Sequence, residues 1–333
     1  RWEKTTTTNI AFDFAVLHNR LIGSIEYYNK MGIDLLANTM GVPTEGFGYN
    51  TYMINNGKMR NQGIELSLNG QIINTRDFGF NVSTNFSYNK NKVVYVNVTA
   101  PVYYLQLDYP QSYPVIGNPY TSIYAYKWAG LSADGLPQVY GDDGKPTTQN
   151  PSSLGAIKYV GSTEPSRLAS VNLDFHYRDF DFSCLWVYKG GYKMRNTDLA
   201  MLNNSYNSTM YSYMANIGPV NKNIIHRWRT SGDEHNTDIP RAVFGESPLF
   251  SDASYTIYSY SDINVIDASN LRLANVSLSY ALPRQWISHV HLSNARFQMN
   301  MENVFTFAHS KSAKYLLGGY NAPNYVLGLY LDF

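Results

Sequence analysis

The residue types that usually carry chemistry are sparse in this chain, and their spacing is poor. His289-Val290-His291 would aim two imidazoles at one strand face, but no carboxylate or cysteine follows at a metal-ligand spacing. A polar turn is the plainer reading, and no metal ligands are expected. Cys184, the single cysteine, shares a parity with Phe182 and Trp186, which suits a buried or lipid-facing thiol better than a nucleophile. Gly190-Gly191 follows a strand pattern without completing a G-x-G-x-x-G cradle, so it starts a loop. Asn81 and Asn275 open Asn-x-Ser matches, but they sit inside strand patterns and are not read as glycan acceptors. No catalytic residue, cofactor site or enzyme activity is expected. What remains is tyrosine, 29 residues of it. The candidates for contact with a ligand or partner are Tyr103, Tyr104, Tyr109, Tyr113, Tyr120, Tyr206, Tyr211, Tyr213, Tyr255, Tyr258 and Tyr260. Rigid rings with a polar tip give contact area to sugars or peptide backbones at low entropic cost. The same chemistry packs long loops together or meets a capping protein, so both readings stand.

Composition narrows the class of protein that could position them. The 333 residues carry a formal net charge of +1, which implies no strong pull toward nucleic acid or anionic surfaces. Only 15% are charged, against about 25% in an average soluble domain. A single cysteine excludes a disulfide framework. Mean hydropathy is -0.32, and no apolar run approaches the roughly 18 residues of a membrane helix. A β-barrel escapes that test, because only every second strand residue meets lipid.

Alternation of period two is the dominant pattern. Tyr325, Leu327, Leu329, Leu331 and Phe333 share one parity, with Val326, Gly328, Tyr330 and Asp332 on the other. Soluble edge strands normally guard such a face with charge or proline, and here that guard is missing. The same alternation predicts strands over 9–17, 21–30, 60–72, 77–89, 167–177, 180–189, 271–282, 294–304 and 325–333. Between 60 and 89 the polar parity is rich in Asn and Ser rather than charge, which places water on that side and hydrocarbon or a packed core on the other. In the seventh strand Ala274, Val276, Leu278, Tyr280 and Leu282 share a face.

Loop lengths divide into two kinds. Turns at His18, Thr75 and Arg178 are short, whereas the regions near 31–58, 90–165, 190–268 and 308–324 are long excursions. Structureless loops of that length are uncommon in compact domains, but outer-membrane barrels pair short periplasmic turns with long extracellular loops. The expected fold is therefore all-β: a transmembrane antiparallel β-barrel to which this chain gives about nine strands. Strand 1 then runs inward from outside and strand 9 ends in the periplasm, provided 120–131 stays in the outer excursion as a small local hairpin. A chain starting outside implies the C-terminal portion of a longer barrel.

The motifs resemble a known family. Asn61-Gln62-Gly63-Ile64-Glu65-Leu66 resembles the N-x-G-(I/V)-E-L strand of SusC/RagA-type TonB-dependent outer-membrane transporters, and Asn85 to Val93 their N-x-S-x-N-x-N-x-V strand end. Trp2-Glu3-Lys4-Thr5, Leu271 to Val276, Tyr280-Ala281-Leu282-Pro283 and Asn303 to Phe307 also fit. The resemblance covers nearly the whole chain. It implies the C-terminal half of a barrel of about 22 strands in the outer membrane of a Gram-negative bacterium. It also implies a remaining half-barrel and plug, a segment that engages TonB, a SusD-like surface lipoprotein, and oligosaccharide or oligopeptide substrates. The terminal residues Tyr325, Leu329, Leu331 and Phe333 resemble the signal read by the barrel-assembly machinery. Glycan-importing members carry an Asp-x-Asn-x-Asp-Gly loop; Gly141-Asp142-Asp143-Gly144-Lys145 lacks its alternating oxygen ligands, so calcium is not expected there. A passive porin or adhesin-like barrel, and a secreted soluble β-sandwich lectin or enzyme, are the alternatives.

Overall fold

Alternating side chains dictate a sheet with two unlike faces, and the computed structural model has one. It describes residues 2–41, 44, 51–100, 102–196, 222–241, 252–290 and 292–332. Nine strands lie side by side in chain order: β1 (Lys4–Val16), β2 (Leu21–Met40), β3 (Thr51–Asn74), β4 (Phe78–Tyr95), β5 (Arg167–Tyr177), β6 (Phe180–Gly190), β7 (Asn270–Ala281), β8 (Asn294–Ala308) and β9 (Asn324–Asp332). Every neighbouring pair is antiparallel. β1 and β9 are edges and do not pair with one another, so these strands do not close a ring. No described helix is long and apolar enough to cross a membrane.

Register carries the oily parity from strand to strand. Phe12 faces Ile25, Ile25 faces Leu66, Leu66 faces Phe86 and Phe86 faces Ala169. Farther along, Leu173 faces Cys184, Cys184 faces Val276, Val276 faces Met301 and Met301 faces Tyr325. The row stays largely uncovered, with Phe12 64%, Leu327 66% and Leu329 61% exposed, as expected of a face that meets lipid. Aromatics bound it at both ends. Phe80 stacks on Phe175 at 4.4 Å and Phe180 on Tyr280 at 4.3 Å near the short turns. Tyr27, Tyr88 and Tyr188 lie on the same face toward the long excursions. From Phe80 to Tyr88 a strand advances about 27 Å along its axis, or about 20 Å along the normal at the usual tilt, close to the height of a lipid-facing band.

Three expectations are corrected. Most of the excursion near 31–58 is strand: β2 and β3 continue past the oily row to Met40 and back from Thr51, across register shifts at Gly32–Leu36. Residues 122–126 do not pair locally but with 157–162, and the local hairpin is 128–131 with 137–140. In β7 the face is not one parity. Ala274 is a bulge, so Leu271 and Leu273 rejoin the oily row opposite Tyr188 and Trp186. The partner β8 shifts at the same level, where Asn303 adopts φ 57°. A bulge inverts parity locally, which alternation alone cannot show.

Candidate functional site

The long excursions gather at one end of the sheet, and the motif residues of β3 and β4 tie them to the wall. Asn61 and Asn91 are directly opposed on the polar face, and the Asn91 amide donates to the Asn61 side-chain oxygen at 2.7 Å. The Asn91 side-chain oxygen Oδ1 in turn accepts the Tyr120 N–H at 2.7 Å. Val93 N–H donates to Asn118 O, and Gly117 N–H to Val93 O, each at 2.9 Å. Two residues lower, the Tyr28 hydroxyl lies across Gly63 and donates to Asn89 Oδ1 at 3.1 Å. A Cβ at Gly63 would stand 2.2 Å from Tyr88 O and 2.6 Å from the Tyr28 hydroxyl, so the close approach needs glycine there.

Above this ladder the excursions build their own core. Leu107, Tyr124, Tyr126, Val139 and Ile257 are buried together, with Tyr103, Trp128, Ile157 and Tyr260 packed against them. The cluster joins the second excursion to the third through polar contacts as well. Arg195 donates to Tyr124 O at 2.5 Å and stacks on the Tyr260 ring at 4.6 Å. The Tyr260 hydroxyl donates to Asp108 Oδ1. Burial and the neighbouring Asp108 carboxylate push the Tyr260 phenol up to about 12. Burial pushes Tyr126 and Tyr258 up further, and the Tyr126 hydroxyl has no hydrogen-bond partner among the described residues.

The candidate tyrosines therefore divide. Tyr258 is buried and makes an edge contact with Trp128 at 5.5 Å, and Tyr103 and Tyr260 pack the core. Tyr113 is half-buried, its carbonyl accepting from Gln106. Tyr104, Tyr109 and Tyr120 are exposed. Tyr104 and Asp108 stand one turn apart on the helix Tyr103–Asp108, Tyr109 follows it, and all three are exposed. Tyr206, Tyr211, Tyr213 and Phe333 lie outside the described residues; Tyr255 is on the helix Asp252–Ser259, but its side chain is also outside them. Tyr325, Leu329 and Leu331 are exposed on the oily face of β9.

Other expected features resolve into local structure. Asp142 accepts Ser152 N–H and hydroxyl through one oxygen and Ser153 N–H through the other. Desolvation, the largest single influence, raises its carboxyl, but these bonds together hold it below the ordinary range. Asp143 caps its own turn by accepting Lys145 N–H. The pair thus folds the loop through backbone donors. His289 lies in the β7–β8 turn and bonds to Gln285 O, while His291 lies outside the described residues. Cys184 is buried on the oily row.

One unit escaped the sequence reading. Residues 222–241 dock on the 128–140 hairpin through Trp228, whose ring lies over Gly135 and whose Nε1–H donates to Glu234 at 2.9 Å. Arg241 stacks on that ring at 5.1 Å and donates its backbone N–H to Gly135 O. Gly135 has φ 74° and a Cβ there would stand 2.3 Å from the indole. The signal was the lone Trp228 beside the Ser231-Gly232-Asp233 turn.

A family described as TonB dependent receptor-like, beta-barrel matches residues 1–123. TonB-dependent receptor SusC of Bacteroides thetaiotaomicron is 28% identical over 93% of this chain and 29% of its own length. TonB-dependent receptor P3 of Formosa agariphila is 27% identical over 92% of this chain and 30% of its own. The RagAB peptide transporter structure superposes over the whole chain with TM-score 0.74 at 24% identity, using 36% of that chain. The chain is similar over nearly its whole length to the β-barrel of SusC/RagA-like TonB-dependent receptors. The chain lies in the outer membrane, so the oily row is its lipid face and the Asn/Ser row its lumenal face. It spans under a third of the length of the curated relatives it matches.

Proposed function

We propose that the receptor of which this chain forms a wall imports oligosaccharides or oligopeptides across the outer membrane. A SusD-like lipoprotein covers its mouth, and TonB, engaged through a region outside this chain, drives passage. The observation that carries the reading is a polar wall too open to enclose a channel by itself, topped by a folded excursion module pinned to it through Asn91. A passive pore needs no such module, and relatives of this chain bear the name TonB-dependent receptor. The excursions near 90–165 and 190–268 form the extracellular surface, and Tyr104 and Tyr109 around Asp108 supply the first contact with substrate or lipoprotein. No catalytic step is assigned to any residue.

The test is uptake of fluorescent oligopeptides and oligosaccharides by cells with and without the receptor. One class should lose uptake on deletion, and a proton uncoupler should abolish what the wild type takes up. Uptake that survives the uncoupler would mean a passive porin. Replacing Tyr104 and Tyr109 together by Ala should raise the half-saturating concentration about tenfold, equivalent to about 1.4 kcal/mol of lost ring contact.

A further inference from the structure

We propose that the lipid face of β1–β5 carries a binding site for phosphate-bearing lipid headgroups of the outer leaflet. The register puts it there. On β4 the outward residues run Phe80, Val82, Thr84, Phe86 and Tyr88, then change to Lys90 and Lys92. On β3 the outward run of Leu68, Leu66 and Ile64 changes to Gln62, Arg60 and Lys58. Arg167 of β5 stands directly opposite Tyr88, and Lys4 of β1 belongs to the same outward face. All of these cations are exposed. The step from Tyr88 to Lys90 is about 7 Å along the strand, and the headgroup layer beyond the hydrocarbon is about that deep. The cations therefore sit at phosphate level, immediately above the aromatic belt.

Arg60 and Lys92 are direct cross-strand partners, and Lys90 is the partner of Gln62 one step below. Like charges directly opposed on a sheet destabilise it unless something of opposite sign lies between them. Nothing in the described protein does so. None of the ion pairs among the described residues includes these cations. No Asp or Glu stands on the outward positions of Lys4–Ile10, Tyr27–Ile33, Lys58–Ile64 or Tyr88–Lys92. The same strands reverse the sign on the lumenal face, where Glu26 is opposite Glu65. On these strands the cations outside the oily row face the membrane, whereas the lumenal face carries Asp13, Glu26 and Glu65 beside Lys30. A diphosphorylated glycolipid fits the patch: its acyl chains lie along the oily row, and its phosphates sit between the guanidinium of Arg60 and the amines of Lys90 and Lys92.

The test uses the full-length receptor purified in detergent and in nanodiscs. Wild type, the triple variant Arg60→Gln/Lys90→Gln/Lys92→Gln and the lumenal control Lys30→Gln are compared for retained glycolipid by mass spectrometry. Their melting temperatures are compared with added lipid A bisphosphate, dephosphorylated lipid A and inorganic phosphate. The wild type and Lys30→Gln should retain and be stabilised by the bisphosphate, and the dephosphorylated form should do little. The triple variant should lose roughly fivefold affinity per cation removed. Lys92→Glu is the second arm, because it places opposite charges across β3 and β4. It should melt higher than wild type in lipid-free detergent and lose its response to the bisphosphate. Equal retention by wild type and the triple variant would overturn the proposal. So would stabilisation by inorganic phosphate matching that by the lipid, which would mark a free-anion site.

Discussion

At the scale of single residues, function in this wall depends on where backbones come close. Gly63 is fixed by the Tyr28 hydroxyl on one side and Tyr88 O on the other, and the second neighbour is backbone that cannot swing away. Gly63→Ala should therefore cost about 1–3 kcal/mol through a shift of β3 against β4. A lower yield of folded, heat-modifiable barrel on gels would show it, and normal yield would count against the packing described. The motif glycine and its flanking Asn residues were visible as a pattern. What the pattern could not reveal is that Asn91 holds Tyr120, because that contact joins the wall to an excursion far along the chain. Tyrosine chemistry was equally ambiguous from type alone. Tyr258 and Tyr104 are both Tyr in polar, irregular sequence, yet one is 2% exposed and the other 50%.

Elements add coupling within an excursion. The short strands Lys193–Arg195 and Val265–Asp267 clasp the two ends of the third excursion, and Lys193 Nζ donates to Asp267 at 3.1 Å. Burial alone would raise the Asp267 carboxyl, but Ser269 and Lys193 hold it down to about 2. A carboxylate depressed in the folded state stabilises that state above its ordinary value near 3.8 and loses the benefit as pH falls through about 2. The clasp should accordingly be intact at neutral pH and loosen between about pH 4 and pH 2. Hydrogen exchange of 193–195 and 265–267 should rise across that window, and Asp267→Asn should remove the pH dependence. Exchange that stays flat through the window would refute the coupling. Most strand boundaries were legible because alternation is a local signal; β5 spans Arg167–Tyr177 as the pattern predicts. The extension of β2 and β3 was hidden by Gly32, Asn38 and Gly57, residues that read as loop but pair across shifts in register.

For the whole molecule, the decisive property is that two faces of one sheet see different solvents. Leu68 points to lipid between Gly23 and Thr84, whereas Asn69 faces the lumen and donates to Ser83 at 3.3 Å. Leu68→Arg should cost roughly 2–4 kcal/mol in bilayer folding titrations and Asn69→Arg much less. Equal costs at these adjacent positions would mean the faces are assigned wrongly. The edges of β1 and β9 carry the same lesson. Unpaired strand edges in hydrocarbon are untenable, so this wall is stable only as part of a closed ring.

By itself the sequence determined the strand set, the oily and wet faces, the segregation of short turns from long excursions and the family resemblance. Each of these is a property of neighbours along the chain or of residues two apart. Tertiary structure alone decided which tyrosines are buried, how 122–126 finds 157–162, that Trp228 closes over Gly135, and that Arg60 meets Lys92 across a strand pair. Those facts depend on register and on packing between residues far apart in sequence, where alternation carries no information about which partner is chosen.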